Sequence, residues 1–110
     1  MRYSEASLAT LFGDVIDAHG APAEDTTVIL FPQDELKWGP RSGLVRAVLC
    51  DVDGKFTMTE LATGPYYVIP REKVRERAWE DASYLRSLVE PAVRIELREG
   101  AMEIHLKVED

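Results

Sequence analysis

The chain has 110 residues with 20 acidic and 13 basic side chains, a formal net charge of −7. That length reads as a single domain, 1–110, able to bury roughly two-thirds of its unfolded surface, and the acidic balance argues against nucleic acid or anionic lipid as a general partner. The single cysteine, Cys50, excludes an internal disulfide framework and a cysteine-rich zinc site; no apolar run approaches the ~20 residues of a membrane helix, and no signal-peptide pattern opens the chain.

Leu11, Gly13 and Val15 alternate with Phe12, Asp14 and Ile16, which predicts a strand over about 9–17, and the turn residues of 18–22 follow. Residues 26–31 are β-branched and apolar on both faces, as in an interior strand, and Pro32 ends the run. A surface loop is expected over 33–43, including Trp38 and Arg41-Ser42-Gly43. A strand over 44–50, the turn Asp51-Val52-Asp53-Gly54 and a strand over 55–59 read as a hairpin. Thr63-Gly64-Pro65 marks a turn before the strand 66–69, which Pro70 should stop.

Between 72 and 90 the period changes. Val74, Ala78, Ala82, Leu85 and Leu88 or Val89 recur at three and four residues, the spacing of one helix face, with Asp81 as a cap and Pro91 as a stop. The tail reads as a second hairpin: Val93, Ile95 and Leu97, the turn Glu99-Gly100, then Met102, Ile104, Leu106 and Val108. In that register His105 lies opposite Arg94. About seven strands with one helical excursion predict two packed antiparallel sheets. The expected core is Leu11, Val15, Val28, Leu30, Val45, Leu49, Phe56, Leu61, Tyr67, Ile69, Leu85, Ile95, Leu97, Ile104 and Leu106, with Cys50 as a small core residue and Trp79 covering one end.

Several fragments, in order, resemble the carboxypeptidase regulatory-like domains, transthyretin-like bacterial sandwiches related to the Cna-B type. They are Gly13-Asp14-Val15-Ile16-Asp17 with Gly20-Ala21-Pro22, Val28-Ile29-Leu30 with Pro32, Asp51-Val52-Asp53-Gly54-Lys55-Phe56, Leu61-Ala62-Thr63-Gly64-Pro65-Tyr66, and the closing Glu99-Gly100 turn. Family members often carry aspartate at the position of Pro65, and the usual proline near Trp79 is Ala82 here. The resemblance implies an all-β, seven-stranded antiparallel Greek-key sandwich of transthyretin or prealbumin type, with a short helical insertion before the last two strands. It also implies an extracellular, periplasmic or cell-envelope location and a non-catalytic module from a larger exported bacterial protein, with a structural or protein-interaction role.

No catalytic, cofactor-binding or metal-binding residues are assigned, and no cofactor is expected. Asp51 and Asp53 before Gly54 fit a tight turn better than a weak cation site, since an EF-hand needs a twelve-residue loop. His19 and His105 are too far apart in sequence and pattern to suggest a metal or hydrolytic pair, and no serine sits in a nucleophile turn. Tyr66 and Tyr67 fall on opposite faces of a strand, which disfavours an iron site using both. Trp38 and Tyr66 are the candidate contacts for a partner or ligand, Trp38 because an exposed indole in a loop offers a stacking face. The alternative function is therefore a carbohydrate-binding module. Expected partners are another protein or domain, or a glycan, with the chain a monomer or weak homodimer.

Overall fold

A computed structural model describes residues 8–38, 44–72, 74–75 and 77–108. Its strands are β1 (Leu8–Ile16), β2 (Thr26–Pro32), β3 (Arg46–Leu49), β4 (Lys55–Ala62), β5 (Gly64–Glu72), β6 (Val93–Leu97) and β7 (Gly100–Lys107), with one helix, α1 (Ala82–Leu88). Short 3₁₀ turns at Glu35–Lys37 and Ala78–Glu80 complete the order. The strands form two sheets, β4-β1-β7 and β3-β2-β5-β6.

The alternation read from the sequence places one apolar row of each sheet into a shared interior. Leu11, Val15, Phe56, Met58 and Leu106 meet Val28, Leu30, Tyr66, Val68, Ile95 and Leu97 there. Strand β2 is apolar on both faces because its sheet is covered twice. Ile29 and Phe31 point away from the first core into a second, where they meet Ile69, Trp38, Leu85 and Leu88. Helix α1 thus forms a third layer, and Asp81 starts it by accepting a bond from the Ser83 amide at 2.9 Å.

Both predicted hairpins are corrected. Strand β3 pairs with β2 while β4 pairs with β1, and β6 pairs with β5 while β7 pairs with β1, so each turn carries the chain from one sheet to the other. The turn chemistry holds locally: Asp51 Oδ1 accepts from the amides of Asp53 and Lys55 at 2.9 Å each, and Gly54 adopts φ 73°. A turn fixes a reversal of direction, not the sheet that receives the next strand.

The expectation of wholly antiparallel sheets is corrected as well. Strands β1 and β7 run parallel through eight partner pairs, from Ala9↔Gly100 to Ile16↔Lys107. They approach closely at Gly13, where an added Cβ would lie 1.7 Å from the Ile104 carbonyl oxygen. Nor does Pro70 end its strand, since β5 continues to Glu72. The β5–β6 ladder spans only Gly64 to Val68, so the proline's missing N–H lies beyond the reach of β6.

Four core assignments also change. Leu49, expected inside, is 60% exposed; Val45 is half-buried against the second core and Ile104 half-buried against the central one; and of the tyrosine pair it is Tyr66 that enters the central core, while Tyr67 is half-buried on the helix side.

Candidate functional site

The largest concentration of aromatic side chains lies on the helix side of the four-stranded sheet. Phe31 and Tyr67 are directly paired across β2 and β5, with ring centroids 5.2 Å apart. Trp38 follows the 3₁₀ turn that Asp34 caps through the Leu36 amide, and that turn folds its indole back onto the sheet. The ring packs edge-on to Phe31 at 5.5 Å, and its N–H donates to the Pro32 carbonyl at 2.6 Å. Trp38 is only 5% exposed, so the expected open stacking face is corrected: the indole is a buttress for α1. The remainder of the expected loop, 39–43 with Arg41-Ser42-Gly43, lies outside the described residues.

Beside this cluster is an open hollow of about 500 Å³ lined by Gln33, Glu35, Trp38, Tyr67, Arg86, Val89 and Glu90. Arg86 of α1 closes one side by donating to Glu35, with Nε 3.1 Å from Oε2 and a second N–H on the same oxygen. The pair is solvent-exposed and ties the helix to the 3₁₀ turn. Gln33 is held by a side-chain bond to the Tyr66 carbonyl at 3.1 Å. The hollow joins an aromatic wall to a rim carrying both signs of charge.

Tyr66, the second sequence candidate, is 3% exposed and sits in the central core. Its hydroxyl donates to the Ala62 carbonyl at 2.8 Å, and burial, partly offset by the Arg46 charge, raises its pKa. It is a strut across the β4–β5 turn and does not reach the hollow.

The titratable groups are dispersed. His105 faces Asp14 across the parallel β1–β7 pair, Nδ1 to Oδ1 at 2.9 Å, which corrects the expected pairing with Arg94. The hydrogen bond and negative charge of Asp14, with a smaller effect from Glu103, raise the imidazole pKa above its ordinary 6.5. His19 lies in a separate turn, where Asp17 accepts from the amides of His19 at 2.8 Å and Ala21 at 3.0 Å; those bonds hold the Asp17 carboxyl below its usual range. Cys50 is buried, and desolvation, with the Asp51 charge, pushes its thiol up to about 11. A protonated, buried thiol is a poor nucleophile at neutral pH. Among the described residues no three His, Cys, Asp or Glu side chains gather as a metal-binding set, and no helix is long and apolar enough to cross a membrane.

No protein-family model matches the chain, and no curated protein sequence matches it. Solved structures do. The chain is similar over 94% of its length to part of the major pilin subunit BcpA of Bacillus cereus, with a TM-score of 0.57, 13% identity and 30% of the pilin subunit covered. A candidate carbohydrate-binding protein from Pseudomonas aeruginosa matches 96% of this chain over 91% of its own, with a TM-score of 0.52 and 16% identity. An (S)-allantoin synthase matches 94% of this chain over 41% of its own, with a TM-score of 0.57 and 18% identity. The chain spans less than half the length of the pilin subunit and of the allantoin synthase. At these identities the likeness defines a class by fold alone, a two-sheet β-sandwich domain that occurs in a pilin subunit, a candidate carbohydrate-binding protein and an allantoin synthase alike.

Proposed function

We propose that the chain is a non-catalytic structural module of a larger exported bacterial protein, a Greek-key sandwich of the transthyretin type that spaces and stiffens the protein carrying it. The observation that carries this reading is the pairing of the first and last strands as parallel neighbours over eight residues each. Strand β1 enters the fold at Leu8 and β7 leaves it at Lys107, at opposite ends of that ladder. Tension between the chain's two ends therefore loads the β1–β7 hydrogen bonds in shear, together, where a peeling load would break them one at a time. Recurrence of the fold as 30% of a pilin subunit supports the same reading. The glycan reading rests on an exposed indole, and the burial of Trp38 removes that support.

Single-molecule pulling tests the proposal. The chain is stretched through its two ends, and separately through Ala18→Cys and its C-terminal end, which lie at the same end of the ladder. The expected result is a clearly higher unfolding force in the end-to-end direction, because forced unfolding follows the barrier crossed and not the equilibrium stability. Equal forces in both directions, or a higher force in the second, would rule the structural reading out.

A further inference from the structure

Among the described residues each sheet leaves two strands with an open side: β4 and β7 in one, β3 and β6 in the other. The edge of β6 carries two fixed charges of opposite sign on either side of an apolar centre. Its sequence, Val93-Arg94-Ile95-Glu96-Leu97, is complementary to itself when read in the opposite direction. Placed antiparallel to a second copy about a two-fold axis at Ile95, Val93 meets Leu97, and Arg94 meets Glu96 twice. Arg94 and Glu96 are exposed on the outer face while Ile95 and Leu97 are buried on the inner one, so the register keeps every side chain on the face it already occupies.

The backbone agrees with that register. The Gln33 amide donates to the Pro65 carbonyl at 3.1 Å, so residue 65 of β5 points toward β2. Alternation then turns 66 and 68 toward β6, where their partners are Ile95 and Val93. The amides and carbonyls of Arg94 and Glu96 are left facing the open side, and these are the residues that would exchange bonds across the axis.

The other edges fit a second copy less well. Strand β4 carries the irregular Glu60 at φ 57°, β3 offers one charge, Arg46, already bonded to the Thr59 carbonyl, and on β7 His105 is held by Asp14. We infer that β6 is a homodimerisation edge: two copies pair antiparallel through Arg94 and Glu96, fusing two four-stranded sheets into one of eight. This surface is independent of the structural proposal, which would stand if the edge failed.

Sedimentation equilibrium at about 0.15 M salt, where screening confines the −7 net charge of each copy to about 8 Å, tests it. The wild-type chain is expected to dimerise with concentration. Arg94→Glu or Glu96→Arg alone places like charges opposite each other twice and should weaken the dimer by about tenfold or more. The double exchange Arg94→Glu with Glu96→Arg restores opposite pairs and should recover wild-type affinity. In the wild type, slowed hydrogen exchange at the Arg94 and Glu96 amides should grow with concentration, a readout that needs no variant. A monomer at every concentration, a dimer indifferent to these reversals, or one sensitive to Glu103→Lys on β7 instead would overturn the inference.

Discussion

Gly13 sits where β1 runs against the Ile104 backbone of β7, and its missing side chain is what the parallel pairing requires. A Cβ would stand 1.7 Å from the Ile104 carbonyl, which neither strand can relieve without moving backbone. Gly13→Ala should therefore cost at least the 1–3 kcal/mol typical of overpacking, roughly, in urea denaturation; an unchanged midpoint would contradict the approach of the strands. His105 makes the other testable contact on this pair. Its folded pKa is raised above 6.5 by Asp14, so the stabilisation is full below that value and is lost as pH rises through the folded pKa. Asp14→Asn should lower the imidazole pKa in an NMR titration, and should destabilise the fold more near about pH 5.5 than near about pH 8.5. Reading Arg94 as the partner of His105 followed from assuming that Glu99-Gly100 joins two paired strands. Nothing in those residues states that the chain crosses between sheets there.

At the scale of elements, periodicity was enough to locate all seven strands and the helical excursion, and turn chemistry was enough to locate the reversals. Pairing was not legible, because Asp51–Gly54 and Glu99–Gly100 look the same whether the flanking strands share a sheet or part. The doubly apolar β2 did announce an interior strand, and its second face is now accounted for by α1 and Trp38. Trp38 itself was hidden by its setting: the surrounding Asp, Glu and Lys read as solvated loop, while the fold-back onto Phe31 depends on a contact seven residues away that periodicity does not register. Burial now separates the two tryptophans. Trp38 is enclosed by the second core, whereas Trp79 is only partly buried against it. Trp38→Ala should cost about 3–5 kcal/mol in chemical denaturation, and Trp79→Ala distinctly less; the reverse order would contradict the placement of α1.

For the whole molecule, three layers share one arrangement: a three-stranded sheet, a four-stranded sheet whose central strands β2 and β5 are covered on both faces, and a short helix. The candidate contacts chosen from sequence went into the interior of this assembly, and what remains outside is a mixed-charge hollow and the strand edges. Both functional readings follow from which strands lie next to which. The tension-bearing role needs β1 beside β7, and the dimer needs β6 free to pair on its outer side, which holds only if β6 and β7 separate after Leu97. Backbone nuclear Overhauser contacts between strands test that separation most directly. The account predicts contacts in parallel register between Gly13 and Ile104 and along 9–16 with 100–107, together with antiparallel contacts between Val68 and Val93. Antiparallel backbone contacts between Ile95 and Ile104, with none between β1 and β7, would contradict it.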